Sequence, residues 1–425
     1  MADLNIIDPT SRFATYEFPM GKDVEPLRRP LRQHPDGIYI DLPNLDYLND
    51  WALSYSAFKT LLSSPPDWHW ESPFNIIEDK LRRSTPALRF GEALHCALLE
   101  PPEMFPRRFG TPPNAKSHPK ALRTLEHIKD RLAQLELRRT GNKDELIDRL
   151  LEHDPHAQIL DVIVDKWKGL GLTPLDEEDI AKIRLMVALA KRHPALDQAF
   201  SGVGLSEVSV FWTEELAPGL TIRQRARFDR LKKRASIDLK SFSNWQGRDF
   251  QKALLREAAL RMYDLQAAHY DVARRKARDL MAEGKVYLCF PMLIEREEDE
   301  GRRLARWTDH TGEVHHQLLQ KGEEPETIII PAPEATLALA QEVLGSEAWK
   351  WMWIFYKTDG APTAQPVVLD RETKAFTRGL EYRERALSQW VHYAGMFGLT
   401  QMWIRLDPIW SPTEEDWPFF MGADL

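Results

Sequence analysis

The pattern of apolar and polar positions changes period near residue 205. Before it, apolar residues recur at helical spacing; after it, they alternate or run together. Tyr55 to Leu62 predicts a short helix, with Ser54 or Ser56 as N-cap and a stop at Ser63-Ser64-Pro65-Pro66. Phe90 to Leu99 predicts a helix that carries His95 and ends before Pro101-Pro102. Residues 106–120 hold several prolines and predict a loop. Residues 121–165 are helical in pattern, and a further helix runs from Glu177 to Arg192 before His193-Pro194. Then Glu207-Val-Ser-Val-Phe-Trp212 alternates and is rich in strand formers. Leu220 to Leu231 puts Ile222, Gln224, Ala226 and Phe228 on one face and arginines on the other, and Ala235 to Leu239 is a third strand. Together these three predict an antiparallel meander.

The C-terminal half continues in mixed fashion. Phe250 to Glu283 predicts one long helix closed by Gly284. Val286 to Ile294, Thr327 to Ile330 and Trp351 to Tyr356 predict strands, and Glu334 to Val343 and Gly379 to Phe397 predict helices. The charged stretch 295–328 predicts a hairpin or insertion. Residues 1–50, rich in Pro, Asp and Arg without period, predict an irregular arm. No repeat is apparent. The order of elements predicts an α/β (α+β) core with a helical N-terminal half.

One constellation on the predicted meander carries chemistry. Arg-Phe-Asp229-Arg-Leu is followed, after a short basic gap, by Ile-Asp238-Leu-Lys240. Apolar neighbours make a carboxylate on such a strand costly to bury unless it is paired or metal-bound. Two carboxylates can hold Mg²⁺, and a lysine beside them can polarise an attacking water. Gln266 and Tyr270 stand four apart, so they share a helix face. Trp349, Trp351 and Trp353 alternate, which predicts core packing on a strand face rather than base stacking.

Composition narrows the classes. At 425 residues with 43% hydrophobic content the chain can bury a large core, so long-range disorder is not expected. No run of about 18 apolar residues exists, which argues against a membrane helix. The N-terminus lacks a basic, then apolar, leader pattern. Cys96 and Cys289 lie in apolar contexts and read as buried thiols of a reducing cytoplasm. Two cysteines cannot supply the four thiolates of a typical iron–sulfur cluster. Net charge is −8, yet Arg223, Arg225, Arg227, Arg230, Lys232, Lys233 and Arg234 crowd around Asp229. A local basic patch suffices for DNA while metal-site carboxylates lower the total.

In sum these segments resemble the PD-(D/E)XK nuclease superfamily, and within it the RecE-like, exodeoxyribonuclease VIII-type phage recombination nucleases. The resemblance covers roughly residues 51–405. It rests on Tyr55-Ser-Ala-Phe58 with Pro65-Pro66, on Gly91-Glu-Ala-Leu-His95-Cys-Ala-Leu-Leu-Glu-Pro101, and on Glu207-Val-Ser-Val-Phe-Trp. It rests further on Arg225-Ala-Arg-Phe-Asp229-Arg-Leu with Ile237-Asp238-Leu-Lys240-Ser241, and on Tyr263-Asp-Leu-Gln266-Ala-Ala-His-Tyr270. Phe228 stands where the family has a small residue or proline. Leu135 to Leu150, with its Thr140-Gly141-Asn142-Lys143 turn, resembles the second half of a SAP motif, a small DNA-binding helix–turn–helix.

The resemblance implies a restriction-endonuclease-like core over residues 51–425, with a helical insertion at 121–165. It implies Mg²⁺, with Mn²⁺ as a substitute, held by Asp229, Asp238, the Leu239 carbonyl, His95 and Glu207. Lys240 would orient or help deprotonate the water, Gln266 would orient Lys240 or a water, and Tyr270 would contact a phosphate. Arg225, Arg227, Arg230 and Lys143 would contact DNA. The implied activity is 5′-to-3′ exonuclease action on double-stranded ends, leaving 3′ single strands for an annealing protein. A ring-like homo-oligomer in the cytoplasm of a bacterium or phage-infected cell belongs to the same expectation. The competing expectations are a Cas4-like or RecB-like nuclease, an endonuclease, and a DNA-binding protein on a degenerate nuclease fold.

Overall fold

The computed structural model describes residues 34–72, 74, 85–217, 220–298, 301–399 and 401–405. We number the eight strands of its central sheet and five helices that bear on the site. The strands are β1 (Gly37–Ile40), β2 (Leu205–Ala217), β3 (Leu220–Lys232), β4 (Ala235–Phe242), β5 (Val286–Phe290), β6 (Ile328–Pro331), β7 (Lys350–Lys357) and β8 (Thr363–Leu369). Their order across the sheet is β6-β5-β1-β2-β3-β4-β7-β8. The helices are α1 (Tyr55–Ser63), α2 (Pro86–Leu99), α3 (Phe250–Leu260), α4 (Tyr263–Ala282) and α5 (Lys374–Phe397).

The expected meander is present: β2, β3 and β4 pair antiparallel in sequence. β7 joins β4 in parallel, with Trp353 beside Asp238 and Phe355 beside Lys240. β1 is antiparallel to β2 and parallel to β5, so the sheet is mixed. The fold is α+β with a helical N-terminal half, as the residue pattern predicts.

The helix α4 lies across one face of the sheet. Its Ala267, Ala268, Ala273 and Ala277 pack with Val208, Val210, Ala226 and Phe228 in the main apolar cluster. Small residues let a helix approach a sheet closely. The same economy of space recurs at Gly379 of α5, where a Cβ would fall 2.2 Å from the Asp264 carbonyl oxygen. On the opposite face, α2 contributes Phe90, Ala93 and Leu94 to a second cluster with Ile237 and Leu239 of β4. Both faces of β4 are therefore covered, so its polar Ser236 and Asp238 are buried along with Ile237 and Leu239.

Three expectations are corrected. The arm expected over residues 1–50 contains, in its described part, the fully buried strand β1 and a helix at Asn44–Asn49. Four residues are too few to carry a legible period, and pairing with β2 and β5 supplies the order. Residues 1–33 of that arm lie outside the described residues. The helix expected over Phe250–Glu283 is two helices, broken at Met262, whose backbone is left-handed with φ 55°. Apolar spacing continues across the break, so the pattern alone does not reveal it; the Tyr55 hydroxyl donates to the Arg261 carbonyl there. The strand expected over Val286–Ile294 ends at Phe290; Leu293–Glu297 belongs instead to a separate three-stranded sheet with Arg303–Thr308 and Val314–Leu319, which is the form taken by the hairpin or insertion expected at 295–328.

The segment that resembles a SAP motif forms helices Leu125–Gln134 and Lys143–His153. Asn142 and Glu145 make a reciprocal capping box at the start of the second. Ile128, Leu132, Leu146, Leu150 and Ile159 give it a small core of its own. Trp349, Trp351, Trp353, Trp390 and Trp403 are all buried.

Candidate active site

The site forms where two sheet ladders are interrupted side by side. Pairing of β3 with β4 ends at Arg230 and Ile237, one position before Asp229 would meet Asp238. Pairing of β2 with β3 skips from Ser206–Arg230 to Val208–Phe228, omitting Glu207 and Asp229. Glu207 stands in the left-handed region at φ 51°. A non-glycine residue held there costs about 1–3 kcal/mol and persists only where its surroundings enforce it. Here the Arg227 guanidinium does so, with Nε 2.8 Å from Glu207 Oε2 and Nη1 donating at 2.7 Å to the Leu42 carbonyl.

The fork brings the expected residues into two adjoining groups. In the first, His95 Nδ1 is 3.7 Å from Asp229 Oδ2 and 4.0 Å from Glu207 Oε1. One ligand atom from each of His95, Glu207 and Asp229 lies within 4.8 Å of the others, a spacing that can hold a metal ion. His95 arrives from α2, one helical turn after Gly91, which faces Ser241 at the end of β4. Its side chain is 31% exposed and is the group's most open member. The Leu239 N–H donates to Asp229 Oδ2 at 2.6 Å. In a strand the carbonyl of a residue points to the same side as its N–H, so the Leu239 carbonyl also faces this group.

In the second group, Asp238 is nearly fully buried. Its Oδ1 accepts from Gln266 Nε2 at 2.8 Å, and its Oδ2 faces the Lys240 ammonium at 2.5 Å. Lys240 also sits 5.0 Å above the Tyr263 ring. Asp238 therefore engages lysine and glutamine, and the ligand-spaced trio is His95, Glu207 and Asp229. The Gln266 Oε1 is buried without a hydrogen-bond partner in the protein.

Electrostatics separate the two groups. Burial pushes the Asp229 carboxyl from 3.8 up to about 7, and Asp238 and Glu207 add to this; His95 and Lys240 oppose it without prevailing. At Lys240 burial disfavours the charge, but Asp238, then Tyr263 and Asp229, outweigh it and raise its pKa. Lys240 is thus held as an ammonium, suited to stabilising negative charge rather than to taking a proton. Tyr270 is pushed well above 10 by burial. Its ring lies edge-on to Phe228 at 5.1 Å and Trp351 at 5.3 Å, inside the core.

The arginines expected to meet DNA have internal partners. Arg225 is buried and donates to the Tyr47 and Asp50 carbonyls. Arg227 positions Glu207. Arg230 donates to Ser206 Oγ and the Gly202 carbonyl, both at 2.9 Å. For Arg225 and Arg227 the cause is the segment 34–53, which covers their face of β3; Arg230 is held by β2 and the turn before it. Lys143 is on the helical insertion, ion-paired with Asp161. Two residues escaped sequence reasoning. Tyr263 shares a face with Gln266 at i, i+3, a spacing that could have revealed it. The role of Arg227 beside Glu207 depends on pairing register, which the sequence does not display.

No protein-family model matches this chain, and no curated protein is similar to it. Among the described residues, no helix is long and apolar enough to cross a membrane.

Proposed function

We propose that the chain is a Mg²⁺-dependent deoxyribonuclease of the PD-(D/E)XK type, acting on linear duplex DNA. The observation that carries this reading is the fork: Asp229 and Asp238 at the end of one ladder, with Lys240 beside Asp238 and Glu207 with His95 beside Asp229. The order of the meander, the helix α4 behind it and the parallel strand β7 agrees with the core implied by the resemblance.

The donor set fits a hard divalent cation. Buried Asp229, close to Glu207 and Asp238, has too little positive charge around it to ionise at its ordinary pKa. Asp229, Glu207 and His95 would hold Mg²⁺, with the Leu239 carbonyl on the same side; the imidazole suits Mn²⁺ as a substitute. When bound, the ion supplies Lewis-acid polarisation of the phosphate and of a water. Lys240 contributes a fixed positive charge where a pentavalent phosphorane gathers negative charge. Gln266 orients the Asp238 carboxylate that holds Lys240. Tyr270 supports the strand from the core.

Exonuclease polarity, a ring-like oligomer and an annealing partner follow from the resemblance alone. Incubation with linear and covalently closed circular duplex DNA, in Mg²⁺ or in EDTA, tests the reading. Loss of linear DNA alone, in Mg²⁺ alone, is the expected result. Cutting of closed circles would make it an endonuclease, and binding without cutting would make it a DNA-binding protein on this fold.

A further inference from the structure

The loop that leaves the Lys240 strand carries Trp245, whose side chain is 79% exposed among the described residues. An indole so exposed loses the burial that normally stabilises it. The loop that carries it is nevertheless fixed. Asn244 donates its N–H to Asp359 Oδ1 at 2.7 Å and its Nδ2 to the Arg248 carbonyl at 2.8 Å. Gly247, at φ 62°, closes the turn onto the Asn244 carbonyl.

Directly after this loop, α3 presents an unusual outer face. Lys252, Leu255, Arg256, Ala259 and Leu260 follow i, i+3, i+4, i+7, i+8 spacing and are all exposed. That stripe alternates cations with apolar side chains. Among the described residues neither Lys252 nor Arg256 has an ion-pair partner. The acids nearby are already engaged: Asp249 caps the helix through the Lys252 N–H, and Glu257 holds Arg261 at 2.9 Å. The C-terminal end of α3 opens into a pocket of about 550 Å³ lined in part by Lys59, Arg261, Met262, Tyr382 and Arg385. Burial, then the like charges of Arg261 and Lys240, lower the pKa of Lys59 on this pocket.

We propose that Trp245 and the outer face of α3 form a track for an unpaired DNA strand, in a chain whose net charge is otherwise −8. This inference rests on the nuclease reading for its substrate class. Cations follow the phosphates of a single strand while an aromatic ring stacks on a base and apolar side chains meet its neighbours. The reach is suitable. Trp245 lies five positions after Lys240, at most about 18 Å of chain. The 11-residue helix adds about 16 Å, enough for on the order of four nucleotides. The track places unpaired nucleotides beside a phosphodiester-cleaving centre, so the enzyme engages ends that have opened rather than intact duplex.

The test is binding of a fluorescein-labelled 12-mer oligodeoxythymidylate in EDTA, where cleavage is not needed. Trp245→Ala weakens binding about tenfold and Trp245→Phe by no more than about threefold, as expected for loss or retention of one stacked base. The double variant Lys252→Gln/Arg256→Gln lowers the slope of log affinity against log salt by about 1.4, as for two phosphate contacts on a single strand. All three side chains altered are exposed, so the melting temperature stays unchanged. Failure of the wild type to bind the oligomer, equal loss in the Ala and Phe variants, or unchanged affinity in Trp245→Ala overturns the inference. Binding that depends on Trp245 in a protein that cuts no DNA would instead retain the track and sink the nuclease reading.

Discussion

Helix α4 presents two buried charged centres, and they are built in opposite ways. Near its N-terminal end, Gln266 donates to the Asp238 carboxylate, whose charge acts on Asp229. About 12 Å further along, Arg274 and Asp271 form a centre in which each charge is matched by internal hydrogen-bond partners. Arg274 is fully buried; it donates to Ser236 Oγ at 3.0 Å and to the carbonyls of Lys232 at 2.7 Å, Lys233 at 3.1 Å and Val343 at 3.1 Å. Its guanidinium also lies 4.8 Å over the Trp349 ring. Asp271 accepts from Trp349 Nε1 at 3.0 Å and from Arg371 and Arg275. At the first centre three acids converge: Arg227 holds Glu207 and Lys240 faces Asp238, while Asp229 has His95 at 3.7 Å and is pushed to about 7 by burial and by its acidic neighbours. Matched charges hold a fold together, whereas unmatched ones invite a cation.

The comparison is broken most sharply by removing one charged group from each centre. Asp238→Ala frees Lys240 and Gln266, and cleavage of linear DNA should fall by roughly a thousandfold or more, the scale of losing a preorganised electrostatic contact together with a site carboxylate. Binding of DNA in EDTA should be largely unchanged. Residual cleavage at a tenth of the wild-type rate would remove Asp238 from the site. Arg274→Met should do the reverse. It strands the buried Lys232, Lys233 and Val343 carbonyls and the Ser236 hydroxyl, at about 1–3 kcal/mol or more. Chemical denaturation should show the loss, while cleavage per folded molecule stays near wild type. A melting curve that did not move would mean that this cluster is not the structural one.

Close packing gives a smaller effect. A Cβ at position 379 would strike the Asp264 backbone, so Gly379→Ala should destabilise by about 1–3 kcal/mol through displacement of α5 from α4. Because α4 carries Gln266, cleavage should decline modestly as well. Thermal melting and a steady-state assay together check both parts, and an unchanged melting temperature would show that the helices part without strain.

Legibility in the sequence follows the same division. Asp229, Asp238 and Lys240 stand out because acids between apolar strand residues break a local rule, and local rules are what a sequence displays. His95, Glu207 and Gln266 come to the site through the resemblance, since nothing in their own surroundings announces them. The alternation of β3 correctly separates Ile222, Gln224, Ala226 and Phe228 from the arginines. It cannot say that residues 34–53 cover the arginine face, so Arg225 and Arg227 look like DNA contacts when they have internal partners. The left-handed backbone at Glu207 and at Met262 is equally hidden, because neither residue favours it. Both are enforced by partners distant in sequence: Arg227 beside Glu207, and Tyr55 at the end of α3.

The finest probe of the unmatched centre is its response to pH without metal. In the folded chain the Asp229 carboxyl has its pKa raised from 3.8 to about 7. The folded state therefore holds this proton more tightly than the unfolded state does. The stability so contributed is full below about pH 4 and is lost as pH rises through about 7. Asparagine in its place never ionises and can still accept from the Leu239 N–H. In EDTA at pH 8, Asp229→Asn should melt higher than wild type by about 2 °C or more, and the gap should narrow as pH falls toward about 4. Saturating Mg²⁺ should reverse the order at pH 8, because only the wild type gains the binding energy of an ion that prefers the folded state. Parallel melting curves from pH 5 to 8 in EDTA would mean that Asp229 is already matched in the free protein, and the contrast between the two ends of α4 would vanish.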